Sequence, residues 1–556
     1  MLPPNHLEES HRGYRHPFIF GTIFFGGVGD NPRTLPDLAM SLCSAYLRRR
    51  PEWWTRFRDT EELHLWYAEI AERRWEVRGP SSMFKIQLSP KQAQYVMDEL
   101  DGYAGLRDVD NECQVSCFER IWESSSLFTP EYTTSFLLEL QRLREDFSPR
   151  RGEKDNIEQV LVDPLLHSLV YHRTLVRWSP SRAPRTLPPP VSNDIYTVSL
   201  DFAALPSDVS VSPSGSAKFQ SYINNINPDT HKYIYAHLET LLSKSVPLFE
   251  HTLTDLHRNN PLVQRIRGTC KYSVWEEPDA PEHSDDEEGW ARYERKMREW
   301  VMNRPIMLPD VPAEGYLPGT LERRRFKVNL KGRKVQVFTR VSEIKLTPGG
   351  PEYLGSEWGV EGMRSERIVA CNFHYVQCQN VVPSALEFRM AVSYPRGFIA
   401  GDTGATLRTW GLTDGDGCQQ YIGALPISEG LSVTFPNIYQ TRMTPFKLLD
   451  PSKAGSVTIV AFLLVDPDIR PVVSTASVPP QQEKWVHSAV YEALRTRLPV
   501  ELVEVVLEHL DGCMKLEEAE GYRKAFVGAL ERFTQASNNY HFCIPFDVWN
   551  GPDSVA

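Results

Sequence analysis

The sequence predicts an α+β fold: a double-stranded β-helix (jelly-roll, cupin-like) core with extensive helical N-terminal and C-terminal additions. Three observations predict it. Short segments of alternating polarity, separated by Gly, Pro, Asp and Asn turns, cluster between residues 326 and 475, as in barrels and double-sheet jelly rolls. Helical periodicity with N-cap signals marks both ends of the chain. The 556 residues, 41% hydrophobic and 24% charged, have an ordinary globular composition, and that length suits about three or four domain-sized pieces.

Region 1–150 reads as mainly helical. In "SPKQ" (89–92) Ser89 is an N-cap, Pro90 the first helical residue and Gln92 the reciprocal capping partner. "TPEYTTSFLLELQRLRED" (129–146) repeats the Thr-Pro start and spaces Phe136, Leu137, Leu140 and Leu143 helically. "EWWTRFRDTEELHLWYAEIAERRW" (52–75) reads as one helix with its aromatics packed in the core. Region 151–275 is mixed. "PSRAPRTLPPPV" (180–191) is a proline-rich connection without room for regular structure. Residues 229–257 form a long helix with a kink expected at Pro247. Its His231/His237 and His251/His257 pairs are spaced six apart, so each pair points to different helix faces and reads as structural.

Region 276–325 is an acidic loop, "EEPDAPEHSDDEEGW" (276–290), leading into a helix. Region 326–485 is the predicted jelly-roll core. "FKVNLKGRKVQVFTRVSEIKL" (326–346) reads as two strands joined around Lys331-Gly332, with further strands at 367–376, 386–393, 419–426, 431–435 and 456–465. Region 486–556 returns to helix, most clearly at 498–510 and 515–533.

The formal charge of −11 argues against a general nucleic-acid binder, which neutralises phosphates with basic surface. Nine cysteines, none in a C-x-x-C pair, exclude a zinc ribbon or disulfide framework and fit reduced thiols. The N-terminus is polar, without the apolar run of a secretory signal. "TIVAFLLV" (458–465) is too short to span a bilayer and reads as a strand buried on both faces. A cytoplasmic (or nuclear) protein with no membrane association is the expectation.

A jelly roll can carry a two-His-one-carboxylate facial triad: His-x-Asp/Glu on one strand, where alternate residues point the same way, and a second His on a later strand. "EWGVEGM" (357–363) has that spacing, with Gly359 and Glu361, and residues 431–470 hold no histidine.

Long segments of the chain are similar to an uncharacterised fungal family, a domain of unknown function whose core resembles Fe(II)/2-oxoglutarate oxygenases. They include "HPFIFG" (16–21), "LVDPLLHSLVYHRT" (161–174), "SYINNINP" (221–228), "LTPGGPEYLGSEWGVEGMRSERIVA" (346–370), "TFPNIYQTRMTPFKLLDPSKAG" (434–455), "FLLVDPDIR" (462–470) and "STASVPPQQEKW" (474–485). The departures from the family pattern fall on the implied metal site. Where the family reads Trp-His-Val-Glu-Gly, this chain has Trp358-Gly359-Val360-Glu361-Gly362. Where the family reads Gln-His-Arg, it has Gln440-Thr441-Arg442. A basic pair suited to the distal carboxylate of 2-oxoglutarate is replaced by Val457 and Thr458. The resemblance therefore implies a degenerate metal site, with no metal and no cofactor expected.

His374 stands where the family has an aromatic residue and, with Cys371 and Cys378, is a weak substitute ligand. No P-loop, H-E-x-x-H or nucleophile elbow occurs, and "GATLRTWG" (404–411) is not a phosphate loop. Three functions remain. The pocket binds a small organic molecule, with Trp358, Gly359, His374, Arg389, Thr441 and Arg442 lining it and Glu361 as the acid/base of a metal-independent cyclisation or isomerisation in specialised metabolism. Or Glu361 is bonded to a neighbour such as Arg442, and the chain is a non-catalytic scaffold or interaction protein. Or it is an active dioxygenase using Fe(II) and 2-oxoglutarate with replacement ligands. Protein partners are not legible.

Overall fold

The computed structural model describes residue 14 and residues 29–146, 157–177, 183–191, 197–260, 262–273, 275–542 and 544–549. The "HPFIFG" segment, residues 180–182 of the proline-rich connection and Cys543 lie outside the described residues. The described helices are α1 (Leu35–Leu47), α2 (Trp53–Arg56), α3 (Thr60–Glu72), α4 (Pro90–Leu106), α5 (Pro130–Asp146), α6 (Lys232–Leu256), α7 (Glu287–Asn303), α8 (Thr403–Trp410), α9 (Glu483–Leu494), α10 (Val500–Glu508) and α11 (Leu516–Ala536). Seven strands carry the centre: β1 (Lys334–Leu346), β2 (Ile368–Gln379), β3 (Ala385–Ala391), β4 (Gln419–Pro426), β5 (Ser432–Pro436), β6 (Tyr439–Met443) and β7 (Gly455–Val465).

Two antiparallel sheets result. The larger runs Ala217–Phe219, Ser207–Val211, β1, β7, β2, β5, Trp122–Ser124, Gln114–Val115, with Glu158–Val162 also paired to β1. The smaller runs β4, β3, β6. β7 lies between β1 and β2, and the "TIVAFLLV" run is buried along almost its whole length, as its continuous apolar character requires. The larger sheet recruits short strands from the first 220 residues, so the β-structure is not confined to the segment after residue 326.

One face of the larger sheet packs on the smaller one. Phe338, Phe373 and Phe435 meet Phe388 and Tyr439 there, with Phe373–Phe435 and Phe388–Phe435 ring centroids 5.1 and 5.3 Å apart. The other face carries Val337, Val341, Val376, Val460 and Phe462 against α5 and α6. Each such fully buried side chain contributes about 1.5–3 kcal/mol of burial energy. A third cluster, including Trp53, Trp66, Val96 and Leu100, joins the N-terminal helices, which makes these tryptophans core residues. Among the described residues no helix is long and apolar enough to cross a membrane.

Local signals explain the helices. The Ser89–Gln92 capping box is present, with Gln92 N donating to Ser89 Oγ at 3.2 Å and Ser89 N to Gln92 Oε1 at 3.0 Å. The acidic run ends in Asp286, which caps α7. "GATLRTW" is helix α8, capped by Asp402 and ended by Gly411 in the left-handed region (φ 71°).

Three local expectations are corrected, and one strand is added. Residues 52–75 do not form one helix: Asp59 accepts the amides of Glu61 and Glu62, which starts α3 anew, and Arg74–Arg78 is a strand paired with Met83–Gln87. Residues 326–330 are not a strand, because Val328 N donates to Thr254 Oγ1 (2.9 Å) and Leu330 N to Glu250 Oε1 (2.7 Å) of α6. Arg185–Thr186 of the proline-rich connection pairs with Leu175–Val176. The strand β6 went unread because "YQTRM" has little apolar character.

Candidate functional site

β6 is the outer strand of the smaller sheet, and residues 353–359 bridge to it and to the segment just after it. Tyr353 bridges to Phe446, and Gly359 to Thr441. Gly359 N donates to Thr441 O at 3.2 Å and Thr441 N to Gly359 O at 3.0 Å. The two positions where the resemblance implies histidines are therefore direct cross-strand partners. A Cβ built on Gly359 meets only the Thr534 Cγ2 methyl of α11, at 3.8 Å, so the glycine leaves open space.

Glu361 is fixed at both ends. Its backbone is clamped by buried Asn437, which accepts from Glu361 N at 2.9 Å and donates to Glu361 O at 2.8 Å. Its carboxylate takes both arms of the Arg340 guanidinium, at 2.7 and 2.8 Å. Burial works against the charge on Arg340, and Glu361 more than offsets it, holding the guanidinium above its ordinary range. The partner of Glu361 is thus Arg340 of β1 and not Arg442.

Strand parity sorts the other candidates. Thr441 is paired with Phe388 and shares its face with Tyr439 and Met443, toward the space between the sheets. Arg389 and Arg442 alternate with those residues and lie on the opposite, outer face. There Arg389 Nε donates to Gln440 Oε1 at 2.7 Å, and Arg442 Nε donates to Glu387 Oε2 at 2.9 Å. Trp358 belongs to that outer face, with both guanidinium carbons 4.7 Å from its ring centroid. The short π-helix Ser537–His541 after α11 closes on it: Asn538 donates to Trp358 O (2.9 Å) and accepts from Gln440 Nε2 (2.7 Å).

His374 faces neither of these places. On β2 it alternates with Phe373 and Tyr375 and sits edge-on to Phe128, on the helical side of the larger sheet. Burial pushes its imidazole down to about 4. Parity also puts Val457 toward the inter-sheet cluster and Thr458 toward the helices, so the two do not share a site. Cys371 is buried beside Glu361, and its burial raises the thiol well above its usual range. Gly359, Glu361 and Thr441 are brought together; Trp358, Arg389 and Arg442 form a separate outer cluster.

Iron does not fit this donor set. Glycine offers no ligand, Thr441 only a neutral hydroxyl, and both Glu361 oxygens bond a cation that the chain itself supplies. The interior beneath is filled by the phenylalanine cluster, and Ala519 and Phe526 of α11 pack into it. Sequence reasoning missed Arg340, Asn437 and Asn538, because their partners are distant in sequence. It also missed Glu366, whose buried carboxyl is raised to about 7 by burial, against backbone donors Ala204 N (3.1 Å) and Met363 N (2.8 Å).

Away from this site, Asp108, Cys113 and His251 bring ligand-type atoms within 4.8 Å of one another, the one such group found among the described residues. Here His251 Nε2 bonds Asp108 Oδ2 at 2.8 Å, while its ring stacks on Trp122 with centroids 4.1 Å apart. Those contacts account for His251 as a structural residue.

A family profile described as "Protein of unknown function (DUF4246)" matches residues 90–489. No curated protein matches the chain. Among solved structures, the Fe(II)/α-ketoglutarate-dependent dioxygenase TqaL is 10% identical, with 64% of this chain and 95% of that chain covered at a TM-score of 0.23. A bsmA homologue from Methylobium petroleophilum is 8% identical, covering 63% and 89%, with a TM-score of 0.22. IDO from Bacillus thuringiensis is 9% identical, covering 30% and 70%, with a TM-score of 0.17.

Proposed function

The chain belongs to the DUF4246 family, and on that premise we propose that it keeps an oxygenase-like jelly roll while acting by binding, without iron or 2-oxoglutarate chemistry. One observation carries this reading: Glu361, the remaining carboxylate of the triad pattern, is held by both arms of Arg340, beside a glycine and a threonine where imidazoles belong. A bidentate guanidinium supplies the positive charge that a metal would supply, with none of its open coordination positions.

Titration with Co(II), read by visible absorption, tests it. The wild-type chain gives no saturable band, whereas Gly359→His/Thr441→His with Arg340→Ala gives one, because residue 359 has room for a side chain. A saturable wild-type band that Glu361→Gln abolishes refutes the proposal.

The open direction at Gly359 favours a second reading. There a small organic ligand occupies that space, and Glu361 with Arg340 assists a metal-independent cyclisation or isomerisation, in a cytoplasmic, specialised-metabolic role. Turnover of such a ligand that survives Glu361→Gln removes this reading.

A further inference from the structure

A cavity of about 390 Å³ lies between the end of α4, the end of α6 and the segment 320–325. Five arginines line it (Arg120, Arg267, Arg323, Arg324 and Arg325) against two carboxylates, Glu119 and Asp255. Both carboxylates already have cationic partners. Asp255 accepts from Arg324 Nε at 2.6 Å and from Trp122 Nε1 at 2.9 Å. Glu119 accepts from Arg265 Nη1 at 3.1 Å. Arg120 is buried and paired with Asp30.

Arg267, Arg323 and Arg325 have no carboxylate partner among the described residues, and all three are exposed at the cavity rim. The wall is fixed: Asn260, at the end of α6, holds the backbone of Arg325 and Phe326 through Oδ1, at 2.8 and 3.2 Å. Leu106, Val115, Leu262, Val263 and Leu321 add an apolar surface.

Three guanidiniums without a carboxylate partner among the described residues stand around one concavity and repel one another, in a chain whose formal charge is −11. An oxyanion relieves that repulsion and suits the planar donor fork of arginine. The volume matches a small molecule, and the apolar wall suits an organic body. We propose that this cavity binds a small organic anion, held through a phosphate or carboxylate group by Arg267, Arg323 and Arg325.

Isothermal titration calorimetry of the full chain at low ionic strength tests this, with phenyl phosphate, phenylacetate and neutral 2-phenylethanol as probes. At least one anion binds saturably at one site and the alcohol does not. Tighter phenyl phosphate assigns a phosphate, tighter phenylacetate a carboxylate, and either result supports the proposal. The triple variant Arg267→Ala/Arg323→Ala/Arg325→Ala binds at least about tenfold more weakly, and Arg323→Ala alone, at an exposed position, also weakens binding. The proposal is overturned if neither anion saturates, if the alcohol binds equally, if the triple variant binds unchanged, or if a single-stranded oligonucleotide binds where both small anions fail.

Discussion

His374 shows how one residue's surroundings set its chemistry. Among the described residues its buried Nδ1 has no hydrogen-bond partner, and burial lowers the imidazole from its ordinary value of 6.5 to about 4. The folded chain therefore keeps it neutral while the unfolded chain protonates it below 6.5. The stability this preserves is complete above about pH 6.5 and is lost as the pH falls toward 4. His374→Phe, which also removes the orphaned nitrogen, stabilises the chain by about 1 kcal/mol at pH 7. The gain grows by about 2 kcal/mol at pH 5; urea unfolding at the two pH values measures it, and an equal gain at both contradicts the account. Glu366 works with the opposite sign. Its carboxyl is raised from 4.5 to about 7, so its stabilising preference for the protonated form is complete below about 4.5 and is lost as the pH rises through 7. Glu366→Gln flattens that part of the stability–pH curve; an unchanged slope would falsify the assignment.

At the scale of elements, caps and covering helices make the testable claims. Ser89→Ala removes one half of the capping box and costs about 1 kcal/mol, read from the chemical denaturation midpoint. Phe526 anchors α11 in the inter-sheet cluster, stacked on Phe202 with ring centroids 5.4 Å apart. Phe526→Ala costs about 3–5 kcal/mol and speeds limited proteolysis near α11; an unchanged cleavage rate shows that the helix does not depend on this anchor. The same scale shows what could be read beforehand. β4 was legible to its ends, because "QQYIGALP" alternates between flanking turns, and α4 announced itself through its cap. β6 was not, since "YQTRM" carries polar residues on both faces and is a strand only by virtue of its neighbours. That Gly359 and Thr441 belong to one site was implied by resemblance to a family pattern, whereas their cross-strand pairing was not legible. Arg340 was invisible because nothing local fixes the register that places it beside Glu361. Parity then separated Arg389 and Arg442 from Thr441, which required knowing that β3 and β6 pair as Phe388 with Thr441.

For the whole molecule, the Arg340–Glu361 ion pair and the phenylalanine cluster between the two sheets lie where the resemblance implies a metal site, and they support the proposed metal-free reading. The Arg340–Glu361 pair is partly exposed, with side chains 29% and 20% accessible, so its contribution to stability is small, about 1 kcal/mol or less. Its significance lies in the donors it occupies. The decisive measurement is the iron content of the full-length chain after anaerobic incubation with Fe(II) and 2-oxoglutarate, followed by assay of succinate on admitting oxygen. Metal-free binding predicts iron well below one equivalent per chain and no succinate above the protein-free control. One equivalent of iron with succinate formation, both lost in Glu361→Gln, would contradict it.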